Sequence, residues 1–568
     1  MSATEWLAAA WPRPVSTAPA LERATTRLGT DADAETIERA ARTVASVAVV
    51  AAVAIGLAVV VRGWRAAGVL VVVSGALGGV CTPTIANRSV RFAATMARTR
   101  ALGSAATLVG RAALSLRIEP SIERAAVFAA RTGRSALARS LGRHVRRAAN
   151  TSHSGFDGFA ADWGAQFRAL DRAVARLDAA ASASADERGG HLDRAVAAAL
   201  RGAREDLSAF TTDIRGPVTG LYAFGVLLPL ALVAVLPAAR ATGVALSLPV
   251  VVALYDAALP LVVVGAGAWL LARRPIAFPP PRIGRDHPDT PDSRVAAVTA
   301  GLVAAGVGGW IVARGVDVWA APVAAVGFGV GTALVARFRP AKRVRDRVLA
   351  VEADLHDALY LVGRRVAAGD AVETAVETAA KRVPGTTGAY LENAVDRHRR
   401  LDVTVREAFG GMRVASPSRR VREMADLFAL AATEGRPAGE ALVATAEHFE
   451  EMRRIERESR RELRRVTDTL ANTAAVFGPL VGGATVALSE RVSQTGATPQ
   501  LGAAPLPTAG LGVAVGAYVL WLAVALTVLT TGLTRGLDRT LVGYRVGVSL
   551  CLATTCYFLA YVAAGLFL

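Results

Sequence analysis

Residues 446–488 read AEHFEEMRRIERESRRELRRVTDTLANTAAVFGPLVGGATVAL. Glutamate and arginine dominate the first half of this stretch, small and apolar residues the second, and no helix breaker separates the two. Arginine, glutamate and alanine are good helix formers, so one amphipathic helix over 441–470 is expected to run straight into a membrane span. Glu450–Arg454 and Glu456–Arg460 stand at i,i+4 on its expected exposed face, each pair contributing about 0.3 kcal/mol. The helical period continues upstream. Val421, Met424, Leu427, Phe428 and Ala431 recur at three- and four-residue steps, as do Leu170, Ala173, Val174, Leu177 and Ala180. Strand-type alternation is absent.

Outward from this stretch, the 568 residues repeat the scheme. Hydrophobic residues make up 53% and charged residues 20%, with a mean hydropathy of +0.38, too apolar an average for a soluble chain of several domains. The apolar residues collect in blocks of span length, which excludes a soluble enzyme, a secreted disulfide scaffold and a disordered tail. Nine spans are expected, near 43–61, 66–86, 217–236, 246–271, 294–313, 318–336, 467–488, 508–531 and 543–566. Two long polar stretches separate them: 88–216, with 21 Arg against 12 acidic residues, and 337–466, with 26 Arg and Lys against 21. The positive-inside rule places both in the cytoplasm.

The organisation that follows is a cytoplasmic N-terminal segment (1–42), two spans (43–86), a first cytoplasmic helical domain (87–216), two spans (217–272), a Pro-rich cytoplasmic linker (273–293), two spans (294–336), a second cytoplasmic helical domain (337–466) and three spans (467–568). The N-terminus is expected inside and the C-terminus outside. Charged residues from Glu5 to Glu38 precede the first apolar block, so that block reads as an uncleaved anchor. The expected fold class is an all-α polytopic membrane protein with two cytoplasmic helical bundles.

The halves resemble each other. RIEPSIERAAVFAARTG from Arg117 aligns with VAAGDAVETAVETAAKRVPG from Val366, pairing Ser121 with Ala371 and Glu123 with Glu373. YAFGVLLPLALVAVL (222–236) likewise parallels AAVFGPLVGGATVAL (474–488). An even number of spans lies between the domains, so the repeat is parallel, unlike the inverted repeats of many transporters.

The net charge is +18, nearly all of the basic residues being Arg, with Lys only at 342 and 381. No aromatic residues interleave with the arginines of the 453–465 cluster, so nucleic acid is not an expected partner. Cys81, Cys551 and Cys556 lie in apolar blocks and support neither a disulfide framework nor a thiolate metal site. There is no Walker A, HExxH or GxSxG pattern, so no catalytic residue, metal or cofactor is assigned, and any energy-consuming work must come from a partner. Gly327/Gly331, Gly478/Gly482 and Gly512/Gly516 have the GxxxG spacing that lets helices approach closely, Pro479 lying beside Gly478. GFGVG at 327–331 lies within a span and follows no strand, so helix packing rather than dinucleotide binding explains it. Asp256 sits near the middle of a span; it is either a functional carboxyl or a structural hydrogen bond to Tyr222 or a neighbouring helix.

Arg453, Arg454, Arg457, Arg460, Arg461, Arg464 and Arg465 precede the seventh span, where lipid headgroups and a protein partner are both expected ligands. Arg117, Glu119, Glu123 and Arg124, with Arg364, Arg365, Asp370, Glu373 and Glu377, open amphipathic helices in both halves. A solvated face explains such a pattern at any one position; its recurrence points to a common partner.

The stretches RRVAAGDAVETAVETAAKRVPG (364–385), RVREMADLFALAATEGRPAGEAL (420–442) and 446–488, with 111–236 as a weaker match, resemble the type II secretion system F family. Its double-length archaeal pilus and archaellum platform forms are the most similar. The likeness covers about half the chain; the first copy departs through a longer Ala-rich insert around 178–190. The resemblance implies a non-enzymatic membrane platform that couples a hexameric cytoplasmic secretion ATPase to pilin subunits entering or leaving the bilayer. A second copy of the chain is a further candidate partner. On that reading Arg117, Glu123, Arg124, Arg364, Arg365, Glu373 and Glu377 are candidate ATPase contacts. The alternatives are a membrane subunit of an ATPase-driven exporter and a membrane-anchored sensor.

Overall fold

The computed structural model describes residues 3–567 apart from 12, 14, 20, 23–24, 26–32, 62–78, 80–81, 85, 92, 95–102, 134, 150–153, 165–166, 233–234, 236–247, 275–293, 413–417 and 495–507. Most of the second expected span, Cys81, residues 62–65, 237–242 and 495–507 and nearly all of the linker lie outside the described residues. All regular structure among the described residues is helical. Among the described residues, seven helices are long and apolar enough to cross a membrane: Ala185–Leu232, Val250–Arg273, Arg294–Gly315, Val318–Ala367, Arg436–Arg491, Ala509–Arg535 and Arg539–Leu566. The chain is an all-α, multi-pass membrane protein.

It divides into two compact units, 1–102 with 272–274 and 103–271 with 275–568. In the smaller unit α1 (Ala3–Ala9) packs on α2 (Ala34–Val61), where Thr43 Oγ1 donates to the Leu7 carbonyl at 2.9 Å. Helix α2 covers the first expected span.

The larger unit begins with six helices, α3 (Ala105–Ile118), α4 (Ile122–Thr132), α5 (Ala136–Ala148), α6 (Phe156–Gly164), α7 (Arg168–Ser182) and α8 (Ala185–Tyr222). After α9 (Leu259–Arg273), α10 (Arg294–Gly315) and α11 (Ala321–Val351) come six more: α12 (Leu355–Ala367), α13 (Val372–Arg382), α14 (Gly385–Leu401), α15 (Val405–Gly411), α16 (Arg419–Glu434) and α17 (Arg436–Asn472). The first residues of the two sets differ by 249 to 251 positions throughout. The last two are α19 (Thr508–Arg535) and α20 (Arg539–Phe567), after α18 (Gly478–Gln494).

Serines and threonines start many of these helices: the Ser121, Ser135 and Ser418 side chains accept the N-terminal backbone N–H groups, and Thr404 with Glu407 makes a reciprocal capping box. Gly435 adopts φ +66°, a backbone conformation open mainly to glycine, and turns α16 into α17 in one residue. The Ala-rich stretch at 178–190 is no insert. It completes α7 and opens α8, and the start-to-start spacing of α7 and α8 equals that of α16 and α17. Alanine there extends helices instead of forming a loop.

Two domain boundaries drawn from the sequence fall inside helices. Helix α8 continues past 217 through a π-helical turn, Ala223–Leu227, and α17 continues past 466 through another, Thr473–Phe477. A third π turn, Ala253–Ala258, lies in the fourth expected span. Each ends two residues before a proline: Pro229, Pro260 and Pro479. Proline cannot donate to the carbonyl four residues back and its ring presses on that group, so the wider turn relieves the clash while the helix continues. Likewise α11 is one helix from the sixth span into the second domain, so no break occurs at 337.

The core of the second charged domain gathers Val421, Met424, Phe428 and Ala431 with Leu359, Val362 and Phe409, and Leu170, Ala173, Val174, Leu177 and Ala180 are buried in the first. Burial of a side chain the size of Phe428 contributes roughly 2–3 kcal/mol.

Candidate functional site

The candidate site is built from two corners, two stems and the packed spans beneath them. At the first corner, between α3 and α4, Arg124 pairs with Glu119 at 2.5 Å. At the second, between α12 and α13, Arg365 pairs with Asp370 at 2.9 Å. Both pairs close a short turn, so part of the charge recurrence has a structural cause. Glu377 lies between Lys381 and Arg399, at 2.8 and 2.6 Å, and hydrogen bonds from both hold its carboxyl below the usual range. Arg364 stacks over the Tyr360 ring at 5.9 Å. Glu123, Arg124 and Glu373 are exposed, and Glu123 accepts the Ser121 hydroxyl at 2.9 Å.

Arg117 does not face outward with them. It pairs with Asp193 of α8, and both are electrostatic neighbours of His448 in α17. Burial, with a smaller push from Arg117, lowers the His448 pKa to about 4 against the pull of Asp193. Beside Arg117, Ile118 packs on the core of the second domain, and Arg111 of α3 pairs with Glu423 of α16. Nearer the membrane Arg204 of α8 meets Glu458 of α17 at 2.9 Å. The two charged domains are thus joined along their stems.

Behind that seam lies a buried ion cluster. Glu352, 8% exposed, accepts Ser418 Oγ at 2.5 Å and Arg420 at 3.4 Å, and its backbone carbonyl accepts Arg453 at 3.2 Å. Arg420 also reaches Glu456 at 3.2 Å; burial works against its charge, and Glu456 and Glu352 more than offset that. Glu456 in turn pairs with Arg460. This pair, read from the sequence as solvated, is part-buried at Glu456, where Arg420 of α16 reaches it. Arg454 pairs with Glu451 at 3.6 Å, not with Glu450. Arg457, Arg461, Arg464 and Arg465 are exposed along the stem.

Below the stems the glycines set the helix spacing. A Cβ on Gly327 would strike Thr554 and one on Gly331 would strike Cys551, both on α20. On Gly512 it would strike Trp319, and on Gly516 it would stand 2.8 Å from Val323. Gly482 lies 3.0 Å, on the same measure, from Val519 of α19; for Gly478 the close atom is the Thr473 carbonyl of its own π turn. Pro479 is buried. Tyr518 donates to the Gly225 carbonyl at 3.3 Å, the group Pro229 leaves unbonded, and stacks edge-on against Tyr255, which donates to the Pro229 carbonyl at 2.8 Å. Asp256, beside the buried Tyr255, is exposed and makes no hydrogen bond to Tyr222 or to any other described residue. An apolar groove of about 390 Å³ between α11, α19 and α20 is lined by Val323, Val326, Val330, Val513, Leu520 and Trp521, among others.

Sequence reasoning missed Arg111, Arg204, Arg345, Glu352, Arg420 and Asp538. A charged residue buried by a distant segment leaves no local signature; Arg111 and Glu423 are 312 residues apart in the chain. No known protein family, curated protein or solved structure matches this chain.

Proposed function

We propose that the protein is the membrane platform of a pilus-like assembly or secretion machine of the type II secretion system F kind. In it a separate cytoplasmic ATPase drives pilin-like subunits into or out of the bilayer. The observation that carries this reading is the recurrence of one six-helix run, each time ending in a stem that enters the membrane through a Pro-terminated π turn. Four spans separate the runs, which favours a parallel tandem repeat with both domains on the cytoplasmic side. Stems continuous with spans, and joined by Arg204–Glu458, suit the transfer of displacement from a soluble motor to the membrane.

On this reading the N-terminus is cytoplasmic and the C-terminus external. Glu123, Arg124, Arg364 and Glu373 form the docking face for the ATPase, Arg117, Arg365 and Glu377 shape the helices that present it, and the groove between α11, α19 and α20 seats a pilin transmembrane helix. Deletion of the gene should abolish surface filaments in electron micrographs. Replacing Arg364, Arg365 and Glu373 together with Ala should weaken co-purification of the ATPase from detergent. Undiminished co-purification together with normal filaments in that triple variant would remove the docking assignment.

A further inference from the structure

Where α11, α17, α19 and α20 meet at the border between spans and second domain, arginines outnumber their counter-ions. Arg345 of α11 is only 3% exposed, and its Nε donates to Asp538 at 2.7 Å. Its Nη1 is buried without a hydrogen-bond partner, Asp346 standing 3.9 Å away. Arg535, at the end of α19, has Arg545, Arg464, Arg345 and Arg460 as its charged neighbours; Arg545 has Asp468 in addition to Arg464 and Arg345. The other acids nearby are engaged. Asp538 holds Arg345 and caps the Thr540 N–H at 3.0 Å, Asp346 holds Lys342 at 2.6 Å, and Glu456 is shared by Arg460 and Arg420. Arg464 and Arg535 form no ion pair among the described residues.

Like charges gathered in a partly desolvated place repel one another more strongly than in water, so the cluster is built for an anion. One helical turn deeper in the bundle, Thr531 precedes Arg535 by four residues on α19 and Ser549 follows Arg545 by four on α20, each on the same helix face as its arginine. Both hydroxyls are buried and lack a hydrogen-bond partner among the described residues. Guanidinium forks match phosphate oxygens in pairs, and basic pockets between spans take lipid headgroups at the charged face of a bilayer. We propose that Arg345, Arg464, Arg535 and Arg545 form a phosphate site for the headgroup of an anionic phospholipid, with its glycerol ester carbonyls accepting from Thr531 and Ser549.

The full-length chain, purified in neutral detergent, can be titrated with dioctanoyl phosphatidylglycerol, dioctanoyl phosphatidylcholine or inorganic phosphate while tryptophan fluorescence reports Tm. Phosphatidylglycerol should raise Tm at a concentration about tenfold below that needed with inorganic phosphate, since only the lipid reaches both layers of the site. Phosphatidylcholine, whose choline the arginines repel, should act far more weakly. Arg464→Gln with Arg535→Gln should demand about tenfold more phosphatidylglycerol, while Arg343→Gln with Arg539→Gln, which removes exposed charges from α11 and α20, should leave the response in place. Equal responses of the two double variants, or of the two lipids, overturn the site. Inorganic phosphate acting at lipid concentrations overturns the lipid assignment. Should the glutamine variant fail to elute as a single species, Arg464→Lys with Arg535→Lys keeps the charge and loses the fork; an undiminished response there also overturns the site.

Discussion

The first charged domain holds its α3–α4 corner with Arg124 on Glu119, and the second holds the equivalent corner with Arg365 on Asp370, the charges exchanged. The helix that follows is capped by Ser121 in the first domain, whereas in the second Ala371 stands at the cap position and offers no side-chain hydrogen bond. The stem is entered through the extended pair at 183–184 in one and through Gly435 in the other. What the two six-helix runs share is geometry: helix order, helix spacing along the chain and the π turn before a proline. What they do not keep is the chemistry that secures it. Both stems bury one face, with thirteen buried residues in α8 and eleven in α17, and α17 also contributes Glu456 to the Glu352–Arg420–Glu456 cluster. The contrast between the two domains thus lies in how their charges are paired, with a buried ion cluster in the second.

The sharpest way to break this contrast is Glu352→Ala. Removing one partner from a buried ion cluster costs about 3–5 kcal/mol, and the lower end applies because Glu456 still neutralises Arg420. Chemical denaturation in detergent should show the second domain losing cooperativity before the first. Acid is the next probe. His448 is neutral in the folded state, with its pKa lowered to about 4 by burial, while an unfolded histidine titrates near 6.5. Stability should thus be full above about pH 6.5, fall as pH drops through the interval down to about 4, and lose up to roughly 3 kcal/mol across it. His448→Gln should flatten that slope in Tm measured against pH.

A pair of matched substitutions sharpens the contrast further. Gly439 lies against α12, where an added Cβ would meet the backbone of Val366 and Ala367, so Gly439→Ala should cost about 1–3 kcal/mol by overpacking. Near the start of the first stem, Gly189 has only Arg117 Nη1, at 4.0 Å. Gly189→Ala should therefore gain up to about 1 kcal/mol from helix propensity, and thermal melts of the two variants should move in opposite directions. The smallest effect belongs to Arg204 and Glu458, both about half exposed. A double-mutant cycle across them should return less than about 1 kcal/mol.

Much of the fold was legible because its signals are local. Blocks of apolar residues mark the spans, Val421, Met424, Phe428 and Ala431 mark a buried helix face, and the continuity of 441–488 marks a stem. The π turns had a signal in Pro229, Pro260 and Pro479, each inside an otherwise unbroken apolar run. The ion network was not legible. Spacing alone favoured Glu450 for Arg454, but Glu451 is the partner taken. The location of Glu456 in a shielded cluster depends on helices brought in from elsewhere in the chain. For the same reason Arg117 belongs to the seam between the domains while Arg124 and Glu123, a few residues on, face outward.

The most direct test of the parallel arrangement is sidedness. In a chain whose Cys81, Cys551 and Cys556 are replaced by alanine, single cysteines at the exposed positions Asp186 and Glu392 can be reacted with a membrane-impermeant maleimide in intact and in permeabilised cells. Both should be protected in intact cells and labelled together once the membrane is opened. Labelling of one position and not the other in intact cells would place the two domains on opposite faces and contradict the account.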